Sequence, residues 1–309
     1  MLSIRFPAPH VAAPLPVLAR CLSEAIFLIK ASRPGFYLTA MWFYLLPFGA
    51  QIPLDLPAFW LGLFYVGFPL GTLIYAGNDI GDRETDRLNP RKDTWLFGAR
   101  PTPSQIAMLP RRIALVQLPF VVVFTVLMGP RALLWFALLV AITTFYNAPR
   151  WGAKDRPGFD VLAQIGYLLV FVLANWLTGN PLSPWFIFAF GALFAMHSHL
   201  FGEVIDIAPD AAVGRRTTAV VIGARATKYV TAALLVIESV IATQIGDKPW
   251  LAPALLLGAM AFLVDAKWGW KNASYPTWLV MLFFVGWNLV LLGEIALSAM
   301  WARGWIPSF

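Results

Sequence analysis

The feature that most constrains this chain is a series of nine long apolar runs. They cover residues 34–50, 57–78, 112–129, 131–147, 160–179, 182–202, 228–246, 250–266 and 274–299. A helix of about 17–25 residues crosses a hydrocarbon core of about 30 Å. Only helices and closed barrels satisfy the backbone in lipid, and these runs lack the period-two alternation of barrel strands. The sequence therefore predicts an all-α membrane protein, a bundle of nine transmembrane helices.

The composition agrees with a membrane protein. The 309 residues are 59% hydrophobic and 13% charged, whereas soluble domains carry about 25% charged residues. The single cysteine, Cys21, excludes an intrachain disulfide.

Basic residues lie almost entirely on one side of the predicted membrane. Of the 23 lysines and arginines, all but Arg131, Lys248 and Arg303 fall in the segments on the amino-terminal side. This bias places the amino terminus in the cytoplasm and the carboxyl terminus outside, in a bacterial or archaeal cell membrane. The net charge of +7 therefore reflects topology, and no nucleic-acid partner is expected.

Two regions are expected along the chain. Residues 1–33 are interpreted as a cytoplasmic segment, in which residues 16–33 have the apolar spacing of an amphipathic helix at the lipid interface. Residues 34–309 form the nine-helix domain.

Two acidic stretches share one spacing. The members are Asp79, Asp82 and Asp86 in the first stretch and Glu203, Asp206 and Asp210 in the second, with a constant offset of 124 residues. Both follow predicted spans on the cytoplasmic side, so an active site is expected there. Steps of three and four place side chains on one helical face, which Asn78 also shares. Each stretch therefore presents a column of oxygen ligands.

The pattern indicates a magnesium-bound polyanion. Stacked carboxylates repel one another unless a cation lies between them, and oxygen ligands with substrate phosphates suit Mg²⁺. Neighbouring basic residues are unexpected for a simple cation site but suit a diphosphate. Those closest in sequence are Arg83, Arg87, Arg91, Lys92, Arg215 and Arg216.

At these residues the chain resembles the UbiA superfamily of intramembrane prenyltransferases. "NDIGDRETD" matches the family motif N-D-x-x-D-x-x-x-D, and "DIAPD" followed by Gly214 matches D-x-x-x-D-x-x-x-G. The stretches "SRPGF", "ARPTPSQ", "YNAPRWGAKDRPGFD" and "GRRTTAVVIG" are also similar to this family.

The resemblance implies a Mg²⁺-dependent transfer of a prenyl group from a prenyl diphosphate to a lipophilic acceptor within membrane lipid. It implies that Asn78 and Asp82, with Asp206 and Asp210, hold Mg²⁺. Asp79, Asp86 and Glu203 are the remaining predicted metal ligands, and Asp82, Asp206 and Tyr146 are the predicted catalytic residues. The predicted diphosphate-binding residues are Arg83, Arg91, Lys92, Arg100, Arg150, Lys154 and Arg216.

One position departs from the family. The family often has Y-x-x-x-K after the fourth span, but here Tyr146 is followed by Arg150, and Lys154 lies four residues further on. Which of these two cations meets the phosphate stays open. Aromatic faces stabilise allylic cations, and the predicted residues along the prenyl tail are Trp42, Tyr75, Phe145 and Tyr167.

Several functions remain open. "NPRK" and "RTTAVV" are similar to the lycopene elongase branch, but aromatic prenylation and a terpene cyclase use the same ionisation. A divalent-cation transporter is the alternative from another class, although transport sites usually lie near the bilayer midplane. The sequence leaves the acceptor, the prenyl chain length and the oligomeric state open.

Other ionisable residues lie within the spans. His197 and His199 lack a second pair of metal ligands, so packing at a helix interface is the preferred interpretation. Glu238 is a candidate functional residue because charges inside a membrane are costly, and it has no assigned role.

Overall fold

A computed structural model describes residues 17–148, 151–246, 248–270 and 275–305, and within them it contains helices and no β-strand. The helices are α1 (Val17–Ala31), α2 (Tyr37–Leu45), α3 (Pro57–Gly71), α4 (Gly77–Gly81), α5 (Arg83–Leu88), α6 (Pro103–Met128), α7 (Pro130–Asn147), α8 (Phe159–Leu162), α9 (Leu169–Leu177), α10 (Trp185–Ala212), α11 (Thr218–Ile222), α12 (Ala224–Ala242), α13 (Leu251–Trp268) and α14 (Thr277–Ala302). The predicted all-α class is confirmed.

Each of the nine predicted runs coincides with a helical segment, but among the described residues seven segments are long and apolar enough to cross a membrane. These are Pro57–Gly81, Pro103–Met128, Pro130–Asn147, Phe159–Leu177, Trp185–Ala212, Leu251–Trp268 and Thr277–Ala302. The segment around α2 is too short, even with the 3-10 turns that flank it. α12 is long enough but is not among the seven segments, because it carries three charged residues, Arg225, Lys228 and Glu238. The protein is an integral membrane protein on this composition.

Local signals explain where helices begin. α6 starts nine residues before the predicted run because Thr102 forms a capping box with Gln105, with Pro103 at the first helical position. The turn between α6 and α7 is Gly129, whose φ of 66° favours glycine.

The centre of the bundle is α2, which is buried on nearly every side. Trp42, Phe43 and Tyr44 are all at most 5% exposed, in the main apolar core with residues of α3, α7, α9 and α10. α14 packs against α2 and against the turn before it, where the Asn288 side chain donates to the carbonyl of Gly35 over 2.9 Å. Such polar contacts join helices in an apolar environment that gives little hydrophobic driving force between them.

A cavity of about 820 Å³ lies between α2, α10, α12, α13 and α14. Its lining follows α13 from Leu251 to Asp265, and it also reaches the ends of α4 and α10. Both acidic stretches border this one cavity.

Candidate active site

The first acidic stretch is carried by a distorted helix. Pro69 lies inside α3, and residues Thr72–Ala76 widen into a π-helical turn directly before α4. The Gln117 side chain donates to the Pro69 carbonyl over 2.7 Å, which satisfies a backbone group of the irregular region. Turns of this kind redirect the residues that follow, here Asn78 and Asp79.

The first stretch is not one continuous helix, although Asn78, Asp82 and Asp86 all line the cavity as their predicted common face requires. Asp82 lies between α4 and α5 with φ −98° and ψ 10°, so the helix is interrupted there. Gly77 and Gly81 lower the helix propensity of α4. In contrast, α10 continues through Pro209 to Ala212, so Glu203, Asp206 and Asp210 keep helical spacing.

Asp82 is the meeting point of three segments of chain. Lys154 Nζ lies 2.5 Å from both carboxylate oxygens of Asp82 and also contacts Asn78 Oδ1. Arg215 contacts the same carboxylate from the segment after α10. Burial by itself raises the pKa of Asp82, but the charges of Lys154 and Arg215 outweigh burial and hold the pKa below its usual range.

Asp79 and Asp86 share a lysine. Lys92 Nζ lies 2.6 Å from Asp79 Oδ1 and 2.8 Å from Asp86 Oδ2, and Arg33 also reaches Asp79 at 3.1 Å. Burial raises the pKa of Asp86 to about 6, since the charges of Asp79 and Asp82 add to burial and Lys92 only partly opposes it. Asp86 lines the cavity and Asp79 does not.

The second stretch meets the loop that follows the first. Asp206 accepts a hydrogen bond of 2.9 Å from the Asn89 side chain and is paired with Arg91. Arg215 Nη1 lies 3.8 Å from Asp210 Oδ1, so one guanidinium joins Asp210 to Asp82. The two acidic stretches therefore come together at one end of the cavity.

Glu203 has partners away from this cluster. Its Oε2 accepts a 2.9 Å hydrogen bond from the Ala219 backbone at the start of α11, and His199 Nε2 lies 3.0 Å from Oε1. The neighbouring Asp160 accepts two hydrogen bonds of 2.6 Å from Thr218. These contacts hold α11 in place and give Glu203 a structural role that the spacing did not reveal.

The residues fit a magnesium site by their donor chemistry. Among the described residues, no three His, Cys, Asp or Glu side chains are grouped around one point, because cations intervene. However, Asn78 Oδ1 and both Asp82 oxygens converge on the single ammonium of Lys154, so these oxygens can surround one cation. With Asp206 and Asp210 on the same cavity, the set has the hard oxygens that Mg²⁺ prefers.

The predicted basic residues divide into two groups. Arg91, Lys92 and Lys154 line the cavity, and Arg100 donates to the Asn89 carbonyl over 3.0 Å. Arg83 and Arg216 are exposed and away from the cavity. Arg150 lies outside the described residues. Lys154 lies against two of the predicted metal ligands, Asn78 and Asp82.

Three of the four predicted tail aromatics, Trp42, Tyr75 and Tyr167, line the cavity, as does Tyr146. Phe145 does not, because it is 39% exposed on the outer face of α7 and packs against Trp151, 6.2 Å between ring centroids. Successive residues of a helix point about 100° apart, and here Tyr146 turns towards the cavity while Phe145 turns to the outer face.

Sequence reasoning missed Arg33 and Asn89, and it named Arg215 as a neighbouring cation but not as a predicted diphosphate-binding residue. Asn89 stands in the "NPRK" stretch, but nothing in the pattern gives its partner Asp206. Arg215 and Arg216 are adjacent, so only the path of the chain decides which one turns inward.

The family model for the UbiA prenyltransferase family matches residues 36–289. A lycopene elongase/hydratase of Corynebacterium glutamicum is 28% identical over 76% of this chain and 84% of the relative. One from Halobacterium salinarum is 29% identical over 91% of this chain and 92% of the relative.

Among solved structures, a UbiA homologue from Archaeoglobus fulgidus bound to GPP and Mg²⁺ superimposes with a TM-score of 0.65. The identity is 18%, and the match covers 89% of this chain and 96% of the homologue. At this identity the likeness concerns the fold.

Proposed function

Because the chain belongs to the UbiA prenyltransferase family, we propose that it transfers a short prenyl group from an allylic diphosphate to a polyene hydrocarbon. The diphosphate binds through Mg²⁺ at Asn78, Asp82, Asp206 and Asp210. The observation that carries this proposal is the meeting of the two acidic stretches at one end of a cavity that is otherwise largely apolar.

The basic side chains stabilise the leaving group. Lys154 and Arg215 lie against Asp82, and Arg91 lies against Asp206. When bound, Mg²⁺ supplies positive charge to the diphosphate oxygens. With the carboxylates engaged there, the ammonium and guanidinium groups are free to turn to the departing diphosphate, where charge develops in the transition state.

The apolar part of the cavity protects the cation that remains. Trp42, Phe190, Phe194 and Trp287 line it, and aromatic faces attract cations by about 0.5–2 kcal/mol each. Dry walls keep water from capturing the cation before the acceptor does.

The acceptor is proposed from the relatives. Both curated proteins described above are named lycopene elongase/hydratase, which favours a linear polyene over an aromatic ring. The GPP and Mg²⁺ of the A. fulgidus homologue support an allylic diphosphate as the donor. A terpene cyclase would need no acceptor, and a divalent-cation transporter would need no diphosphate.

The proposed membrane arrangement has nine spans. The seven apolar segments are joined by the buried segment of α2 and by α12, with the acidic cluster on the cytoplasmic side. In this arrangement α1 lies at the lipid interface as part of a cytoplasmic segment of residues 1–33.

The test uses the purified full chain in detergent with Mg²⁺, dimethylallyl diphosphate and lycopene. Mass spectrometry should detect lycopene enlarged by one or two five-carbon units, and chelation of Mg²⁺ should stop its formation. Parallel reactions supply geranylgeranyl diphosphate alone or with 4-hydroxybenzoate.

Three results would contradict the proposal. A prenylated aromatic product without enlarged lycopene would make the protein an aromatic prenyltransferase. A cyclic hydrocarbon formed without acceptor would make it a cyclase. Divalent-cation flux into vesicles that survives Asp82→Asn and Asp206→Asn, with no prenyl transfer, would support the transporter.

A further inference from the structure

An ionisable pair lies deep in the bundle, away from the acidic cluster. His197 Nδ1 on α10 lies 2.7 Å from Glu238 Oε2 on α12. Glu238 is fully buried, and within the described chain neither of its carboxylate oxygens has a hydrogen-bond donor other than the imidazole 2.7 Å away. A carboxylate at this depth is costly to keep in a membrane protein, so the pair requires an explanation beyond packing.

The imidazole borders the cavity. His197 and its neighbour Ser198 both line it, whereas Glu238 stands behind them. Because Nδ1 faces Glu238, Nε2 is the nitrogen left for a ligand, and it lies 3.4 Å from the Ser198 hydroxyl. A carboxylate behind an imidazole fixes the tautomer in which Nε2 accepts a proton.

A cluster of aromatic rings begins beside the imidazole. The Phe194 ring lies 5.1 Å from the His197 ring, and Trp42 and Trp287 lie 5.2 and 6.2 Å from Phe194. All three rings line the cavity. A carbocation in this part of the cavity therefore has aromatic faces and a proton acceptor within one pocket.

The depth of His197 suits a step after ionisation. His197 precedes Asp206 by nine residues on α10, which corresponds to about 13 Å along the helix. The diphosphate end and the imidazole are thus separated along the cavity, which leaves room for the reacting carbons between them.

We propose that His197 is the base that ends the reaction by removing a proton from the prenylated acceptor, with Glu238 as its positioning residue. This inference rests on the proposed function, since it requires an acceptor carbon that becomes cationic.

The step balances as follows. The C–O bond of the allylic diphosphate breaks and its electron pair leaves with the diphosphate. The acceptor double bond then forms the new C–C bond, which leaves a cation on the adjacent acceptor carbon. His197 Nε2 takes a proton from a neighbouring carbon, and the C–H electrons form a new double bond. The resulting imidazolium is stabilised by the Glu238 carboxylate.

The competing explanation is that the pair only joins α10 to α12. The chain offers a matched control for this, because Lys248 and Glu294 form another buried ion pair between the loop before α13 and α14. Neither residue lines the cavity. Glu294→Gln therefore removes a comparable helix contact without touching the reacting groups.

The experiment compares His197→Gln, Glu238→Gln and Glu294→Gln in the full chain with Mg²⁺, dimethylallyl diphosphate and lycopene. It measures two rates, diphosphate release and formation of enlarged lycopene. Loss of a general base is expected to lower product formation by about 100-fold in His197→Gln, while diphosphate release falls by less than about tenfold. Glu238→Gln should lower the ratio of product formed to diphosphate released by less than His197→Gln does. Glu294→Gln should leave this ratio unchanged.

A second variant guards against misfolding. Added imidazole should restore product formation in His197→Ala, which repair of a helix contact does not explain. The inference is overturned if the ratio of product to released diphosphate stays at the wild-type value in both His197 variants, or if both rates fall together without rescue.

The two proposals fail in different ways. If the wild-type protein prenylates 4-hydroxybenzoate and not lycopene, the proposed polyene acceptor is wrong. The ratio of product to released diphosphate in the His197 variants is then measured with the aromatic acceptor, because that acceptor must also lose a proton. If no acceptor gives a coupled product, both proposals fail.

Discussion

At the scale of single residues, Asp82 is held by two cations from distant parts of the chain. It faces Lys154 from the loop after α7 and Arg215 from the segment after α10. The matched spacings identified Asp82 from sequence, but its cationic partners come from parts of the chain 72 and 133 residues away. No local pattern encodes such pairings.

The first prediction concerns Lys154→Met. Without the ammonium that now lies between Asn78 and Asp82, Mg²⁺ alone should bind several-fold more tightly, because a competing cation is gone. Inorganic diphosphate should bind about tenfold more weakly, since a charge-assisted contact contributes about 1.5–3 kcal/mol. Calorimetric titration with each ligand measures whether its affinity rises or falls.

The control is Lys267→Met, whose side chain stacks on Trp268 and lies off the cavity. If both ligands bind Lys154→Met more weakly, Lys154 acts as a structural support and not as a rival of the metal.

A second residue-scale prediction compares three aspartates changed to asparagine. Asp82→Asn and Asp210→Asn should each lower prenyl transfer by about 100-fold or more, because each removes charge that stabilises the transition state through the metal. Asp93→Asn should retain activity, since Asp93 lies in the loop after α5, pairs with Lys30 of α1 at 2.5 Å and does not line the cavity. Rates are measured on protein that elutes as the wild type does in size-exclusion chromatography; Mg²⁺-dependent turnover in Asp82→Asn would refute the ligand assignment.

At the scale of elements, the loop between α5 and α6 delivers Arg91 and Lys92 by resting on Gly35. A Cβ at Gly35 would lie 2.7 Å from the Leu96 carbonyl oxygen and 2.8 Å from its Cα. These are backbone atoms, so the loop itself must move to admit any side chain.

Gly35→Ala is therefore predicted to lift the loop, at an overpacking cost of about 1–3 kcal/mol, and to weaken diphosphate binding. Gly286→Ala is the matched control, because nothing lies within 4 Å of its added Cβ and alanine favours a helix. Titration of each variant with inorganic diphosphate measures the difference in affinity. Equal affinities would show that the docked loop does not contribute.

The elements themselves were largely predictable, because apolar runs in lipid must become helices. The residues at which the helices begin and end were less predictable. α10 extends ten residues beyond its predicted run, through charged residues that hydropathy assigns to a loop.

Rotation about each helix axis was not predictable. A lipid-facing side chain is as apolar as a buried one, so α13 and α14 show no polar face to orient them. For this reason the sequence could not pair His197 with Glu238, nor place Phe145 outside and Tyr146 inside.

At the scale of the whole molecule, the distribution of charge predicts one orientation in the membrane. Cys21 is the only cysteine in the chain, and it is exposed on α1. A membrane-impermeant maleimide should therefore label Cys21 in inverted vesicles and not in intact cells. A cysteine introduced as Arg303→Cys in a Cys21→Ser background should show the opposite pattern, and labelling of both from the same side would refute an odd number of spans.

The pairing of each aspartate of the two acidic stretches with lysine or arginine has a consequence for the life of the protein. A molecule that carries its own counterions needs no metal to keep its acidic residues from forcing the helices apart. Magnesium shortage would then halt turnover without exposing the chain to proteolysis, and a resupplied cell would recover the activity at once, with no new synthesis.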